Sequence, residues 1–221
     1  MTDKPWVQTA GVLVLVALCL GGGAWLQTVR DTRHPAPPIE EDSLYITSGR
    51  ALKLMTAGFN PLAADLYWIR TIQYYGRTKL KTRDSTAAPG PDADYHLLYP
   101  LLDLTTTLDP RFNIAYRFGS IFLAETYPGG PGRPDLAVTL LEKGLRERPD
   151  KWEYMQDIGF VHYCWTHDFK AASDWFNGAA DVPGAPWFLR SLAATTLAEG
   201  GDRRSSRVMW EAIRESAEID W

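Results

Sequence analysis

Cysteine is close to absent: Cys19 and Cys164 are the only two in 221 residues, and Cys19 falls inside an apolar run. Disulfide stapling of the fold is thereby excluded, and one remaining thiol leaves the redox compartment open. A basic excess is lacking too, since 23 Lys and Arg face 27 Asp and Glu for a net charge of −4. General nucleic-acid binders carry a strong basic bias, so that class is set aside. The chain has no Cys-x-x-Cys-His, Gly-x-Ser-x-Gly, His-Glu-x-x-His or phosphate loop. Gly129-Gly130-Pro131-Gly132 is glycine-rich, yet no Lys-Ser/Thr follows and Pro131 removes an amide, so it reads as a turn. His162, Cys164, His167 and Asp168 are metal-ligand types, but on a helical hairpin their directions diverge, and Asp168 suits a helix N-cap. These absences predict a protein without catalytic residues, cofactor, metal or small-molecule substrate.

Aromatics are plentiful, with nine Trp, ten Tyr and eight Phe, enough to build a core even in thin layers. From Trp6 to Val29 no residue is charged, with Lys4 before the run and Arg30 after it. As a helix that run spans roughly 36 Å, more than a hydrocarbon core of about 30 Å. Trp6 and Trp25 sit where interfacial aromatics belong. A cleaved signal peptide is the rival reading, because Gly21, Gly22 and Gly23 follow the strongest stretch. Apolar character resumes at Ala24, Trp25 and Leu26, which favours an uncleaved anchor. Leu18 before Cys19 argues against lipidation. Flanking charge is nearly balanced; the expectation is a single-pass protein of the bacterial inner membrane with a periplasmic soluble domain.

Three regions follow: an anchor over residues 1–30, a Pro-rich linker over 31–47 and an all-α domain over 48–221. His34 to Asp42 (HPAPPIEED) holds three prolines and reads as an extended spacer. A short helix is expected from Ser48 to Thr56. Next, Pro61 to Gly76 pairs with Tyr95 to Leu108, joined by a long connection, Arg77 to Asp94. On the first of these helices Leu62, Leu66, Ile69 and Ile72 are expected to form the buried face. Asp65, Trp68, Arg70, Gln73 and Tyr74 then lie beside it, either as a partner-docking surface, Trp and Arg being favoured at interface hot spots, or with Asp65 and Arg70 satisfying neighbouring helix ends. Arg77, Lys79, Lys81 and Arg83 make a basic run that is a solvated helix end, or a contact with anionic lipid or an acidic loop.

Trp152 to Ala185 carries small and large residues in a 34-residue unit. Ile158 and Gly159 open it, Ala171 and Trp175 face them from a second helix, Gly178 is small again, and Pro183 closes it. Met155 and His162 keep bulk at two further places. This spacing resembles the tetratricopeptide repeat family, and Ala63 to Gly76 is similar to segments of membrane-anchored bacterial repeat proteins. Upstream, Phe118, Gly119, Ala137, Leu141, Gly144 and Pro149 follow the same frame. Downstream, Leu192, Ala193, Ser205, Met209 and Ala212 do so. The resemblance covers about residues 61 to 217, in four helical hairpins, and implies an α-solenoid whose first helices line a concave groove.

Carried onto this chain, the groove positions are Asn113, Tyr116 and Ser120, then Glu153, Gln156, Phe160 and Tyr163, then Trp187, Arg190 and Ala194. The resemblance implies a membrane-anchored scaffold holding other protein subunits in an envelope complex for secretion, pilus or transport work. An accessory subunit of a membrane enzyme or electron-transfer complex, held by its transmembrane helix, is the alternative. The bilayer contact is residues 6–29. Trp210, Ile213, Ile219 and Trp221 are expected to leave an apolar end for capping.

Overall fold

The computed structural model describes residues 5–33, 44, 46, 48–84, 90 and 95–219. Most of the Pro-rich linker, much of the connection before Tyr95, and Trp221 therefore lie outside the described residues. The chain divides into two compact units, residues 1–43 and 44–221. Among the described residues there are ten α-helices and no strand.

The first unit holds α1, Pro5–Arg33. Within it Gly11–Arg30 has a mean hydropathy of 2.0, is unburied, and is long and apolar enough to cross a membrane.

The second unit is built from α2 (Gly49–Met55), α3 (Asn60–Asp84), α4 (Leu98–Leu108), α5 (Asn113–Ala124) and α6 (Pro134–Glu147). It continues with α7 (Trp152–Val161), α8 (Phe169–Ala180), α9 (Phe188–Glu199) and α10 (Arg203–Ile219). From α3 onward each helix packs on the next, α2 rests on α4, and α5 also touches α7. Helix starts follow their local chemistry. Ser48 accepts from the Ala51 amide, Asp168 from Ala171 at 2.9 Å and Asp202 from Ser205 at 3.0 Å. Pro134 opens α6, where its fixed φ costs nothing.

The core centres on α4, whose Leu98, Leu101, Leu102, Leu104 and Leu108 are all buried. Around it lie Tyr74, Tyr95, Tyr116, Leu123, Leu140, Leu141, Tyr154 and Ile158. Close approach depends on two glycines here. A Cβ on Gly119 would lie 2.5 Å from Leu102, and one on Gly144 would meet the Tyr154 and Tyr116 rings at 2.9 and 3.0 Å.

The structure corrects α3 in two ways. Its helix does not stop at Gly76 but continues to Asp84. A mid-helix glycine costs only about 1 kcal/mol relative to alanine. That loss is offset by buried Thr78 and Thr82, the Thr82 hydroxyl donating to the Thr78 carbonyl at 2.9 Å. The second correction reverses the faces. Leu62, Leu66, Ile69 and Ile72 are 59%, 61%, 50% and 44% exposed. The inward side is instead Ala64, Thr71, Tyr74, Thr78 and Thr82, with Tyr67, Trp68 and Tyr75 packed against the core. Rings bury more area than aliphatic chains, and the Thr71 and Thr82 hydroxyls are satisfied one turn back, Thr71 by the Tyr67 carbonyl at 2.8 Å.

A similar offset occurs in the most regular hairpin. Between α7 and α8, His162–Thr166 forms a π-helical turn that ends at His167 with a left-handed φ of 53°. Such a turn holds one more residue than an α-helical one. Beyond it the interior positions move forward by one. Ala172, Phe176 and Ala179 are wholly buried, whereas Ala171 and Trp175 are only half-buried. A Cβ on Gly159 would lie 2.5 Å from the Phe176 ring, so Phe176, not Trp175, fills the hairpin. Gly178 has open space where a Cβ would stand and serves no packing need. On α10 the buried residue among those described is Ser206, again one place beyond the expected Ser205.

Candidate functional site

The surface shared by α5 and α7 is the place where the expected groove residues come together. Asn113 begins α5, and its side-chain oxygen accepts from the Tyr154 hydroxyl at 2.7 Å and from Arg148 at 3.4 Å. One turn later the Arg117 guanidinium makes two parallel bonds to the Asp157 carboxylate, at 2.6 and 3.0 Å. Glu153, one turn before Asp157 on α7, pairs with Lys151 at 3.1 Å. Asn113 and Arg117, at the i, i+4 spacing that shares a helix face, thus meet Tyr154 and Asp157 of α7 across the helix pair.

Burial shapes the electrostatics. Lost hydration raises the Asp157 carboxyl above its usual range, even though the Arg117 bonds oppose the shift. Arg117, whose side chain is nearly half exposed, is held above its ordinary value by the same carboxylate. Burial pushes the Tyr154 phenol up to about 12 and raises Tyr116 still further. Both phenols are therefore neutral hydrogen-bonding groups at physiological pH.

Not every groove position is a surface position. Tyr116, Ser120 and Ala194 are buried. Tyr116 tilts against Tyr154 with ring centres 5.2 Å apart, and the Ser120 hydroxyl donates to the Arg117 carbonyl at 2.7 Å. Besides Arg117, the α5 residues that reach solvent are the large apolar Ile114, Phe118 and Ile121, each about half exposed and spaced i, i+4, i+7. Gln156 is half-buried beside Asp157. Phe160 sets its edge on Phe176 at 5.1 Å. Tyr163 donates to Glu199 at 2.6 Å, tying the π turn after α7 to the end of α9, and the Glu199 carboxylate raises its phenol.

The remaining positions stand apart. Trp187 is 83% exposed before α9, edge-on to Phe188 at 6.5 Å. Arg190 pairs with Asp181 at 2.9 Å and lines a hollow of about 340 Å³ with Asn177, Met209 and Ile213. Trp68 points into the core, stacked on Phe122 at 6.2 Å and edge-on to Phe112 at 6.0 Å. It is thereby a packing residue, with Arg70 half-buried beside it and Gln73 exposed.

Sequence reasoning missed the Arg117–Asp157 fork and the Ile114, Phe118 and Ile121 stripe. Both sides of α5 are apolar, so periodicity alone could not tell the buried stripe from the exposed one. It also missed an open cleft of about 710 Å³ lined by Asp109, Arg111, Glu147, Arg148 and Asp150 at two helix turns. Charges of both signs there largely offset one another. Around the π turn, His162 engages Thr166 at 3.2 Å, Cys164 is exposed and Asp168 caps α8. Among the described residues no three His, Cys, Asp or Glu side chains are disposed to hold a metal ion. No family model, no curated protein and no solved structure matches this chain.

Proposed function

We propose that this chain is a membrane-anchored scaffold whose helical domain, of tetratricopeptide-like design, holds another protein subunit on the face shared by α5 and α7. The observation that carries this reading is the direct packing of α5 on α7, two helices separated in the chain by α6. In a stack of hairpins, first helices adjoin first helices and together line one surface. On that surface the Phe118 stripe offers apolar anchors, and the Arg117–Asp157 fork and Gln156 offer directional bonds. Such a mixture suits a peptide or partner helix. Two interior sets also agree with the repeat frame, Ala137 with Leu141, and Ala193, whereas the hairpin of α7 and α8 departs from it by one position. The candidate membrane span of α1 makes an envelope complex of the bacterial inner membrane the natural setting, with the domain on the periplasmic side.

The test is mild-detergent extraction of the full chain from native membranes, followed by native-mass sizing. Wild type is expected to carry a stoichiometric membrane-protein partner. Phe118→Asp with Ile121→Ala should lose that partner at unchanged helicity, since both side chains are exposed. Full retention of the partner by this variant would rule out the α5–α7 face.

The alternative is an accessory subunit held through α1 itself. Gly11, Gly21, Gly22 and Gly23 have nothing within 4 Å of an added Cβ, which leaves room for another helix to approach closely. In that case the double variant keeps its partner, and Gly22→Leu loses it.

A further inference from the structure

The outward face of α3 is the largest feature that the scaffold reading leaves unused. At about 100° per residue, Leu62, Leu66, Ile69 and Leu80 fall on one line along α3, all half exposed or more. Phe59, just before the helix, is 69% exposed as well. On a soluble surface single exposed aliphatics are ordinary, but four on one line over about five turns, with only Gln73 and Gly76 between Ile69 and Leu80, call for a cover.

The same helix is basic, although the chain as a whole is acidic. It carries Arg70, Arg77, Lys79, Lys81 and Arg83 against Asp65 and Asp84. Around the helix axis these charges flank the aliphatic row. Arg70, Arg77 and Lys81 fall on one side of it, and Lys79 and Arg83 on the other. Lys79 also reaches the Tyr75 ring and hydroxyl, the latter at 3.3 Å. An apolar row between two basic edges is the pattern of a helix lying in a lipid headgroup layer. The inward face is already committed to Tyr74, Thr78 and Thr82, so docking needs no rearrangement of the fold.

Covalent connection supplies the second argument. Fifteen residues lie between Arg33, at the end of α1, and Gly49. Fully extended, that segment reaches at most about 55 Å. A bilayer crossed by α1 is therefore always within the domain's range, and the local lipid concentration is high without any partner.

We propose that the outward face of α3 binds the surface of an anionic phospholipid bilayer, the aliphatic row entering the acyl boundary and the basic edges meeting headgroups. This rests on the reading of α1 as a membrane anchor. Each basic group near an anionic leaflet multiplies residence there by about fivefold, so removing two lowers it about thirtyfold.

The test uses the full chain, reconstituted in phosphatidylethanolamine–phosphatidylglycerol vesicles, with single spin labels on a Cys19→Ser, Cys164→Ser background. Labels go at Leu66→Cys, at Leu15→Cys in the anchor, and at Glu142→Cys as an exposed reference on α6. Paramagnetic relaxation by oxygen reports lipid, and relaxation by a water-soluble nickel chelate reports solvent. The expected result is lipid-like relaxation at Leu15 and Leu66 and water-like relaxation at Glu142. Lys81→Gln with Arg83→Gln, or phosphatidylcholine vesicles, should return Leu66 to water. A water-like Leu66 beside a lipid-like Leu15 would overturn the proposal and leave the anchor standing. A Leu66 label shielded from both reagents would overturn it in favour of a second copy of this chain. Leu66 that stays in lipid after both charges are removed would overturn the role of the basic edges. A water-like Leu15 would remove the anchor, and this proposal with it.

Discussion

Phe176 is where α7, α8 and α9 converge, and its contact with Gly159 allows a sharp test of the packing. The ring is fully buried, against Phe160 at 5.1 Å and in one cluster with Ala172 and Ala193. Phe176→Ala should cost about 3–5 kcal/mol from lost transfer energy and the cavity left behind. For a domain of this size each kcal/mol moves the melting midpoint by about 2–4 °C, a fall of roughly 6–20 °C. Trp175→Ala, at a half-buried position, should cost only about 1–2 kcal/mol. Gly159→Ala places a methyl 2.5 Å from the Phe176 ring, an overpacking worth about 1–3 kcal/mol.

The double variant carries the argument. With Phe176→Ala the obstacle is gone, and alanine is the better helix former by about 1 kcal/mol. Gly159→Ala should then be neutral or stabilising, a change of sign rather than of size. The assay is denaturant unfolding of the full chain in mild detergent, followed by far-ultraviolet circular dichroism. Additive effects of the two substitutions, or a larger loss from Trp175→Ala than from Phe176→Ala, would refute the shifted interior.

Three further outcomes are expected. Lys143 places its Nζ 2.6–2.9 Å from oxygens of Asp103, Thr106 and Thr107, so Lys143→Ala should lower stability by about 1–3 kcal/mol in the same unfolding assay. Asp157 has a raised folded carboxyl value, so its contribution is fully present at low pH and is lost as pH rises through that value. Relative to wild type, Asp157→Asn should therefore look better in melts at about pH 7 than at about pH 4, and Arg117→Ala should be the more damaging partner change. Tyr154 is raised to about 12, so it stabilises fully below the free phenol value near pH 10 and is lost as pH climbs through about 12. Tyr154→Phe, which removes the 2.7 Å bond to Asn113, should soften that alkaline step and cost about 0.5–1.5 kcal/mol at neutral pH.

Helix type was readable from the amino acids because proline, glycine and capping residues punctuate the chain. Ser48, Asp168 and the Gly200–Gly201 turn stand where local chemistry puts them. The apolar character of α1 was equally plain, since uninterrupted hydrophobicity needs no tertiary context. Which face of a helix turns inward was harder to read. On α3 both sides are apolar in different ways, and the choice between aliphatic and aromatic faces was made by Phe122 and Tyr95 on neighbouring segments. On α5, Tyr116 and Phe118 differ by two positions yet by a half turn of environment. Tyr116 is interior because Gly144 opposite it leaves room for a ring. Such complementarity between distant residues is invisible to spacing within one helix. The π turn adds a third difficulty, because an extra backbone residue leaves no mark in composition.

That turn also defines a seam in the chain. Elsewhere in α7 one inserted residue would rotate everything after it by about 100° and exchange buried for exposed side chains. Between His162 and Thr166 the backbone already accommodates a supernumerary residue, and Asp168 begins α8 afresh with its own cap. Length variation is absorbed there before it can propagate into the next hairpin. Single-residue deletions walked along this region should be tolerated at the seam and ruinous one turn to either side.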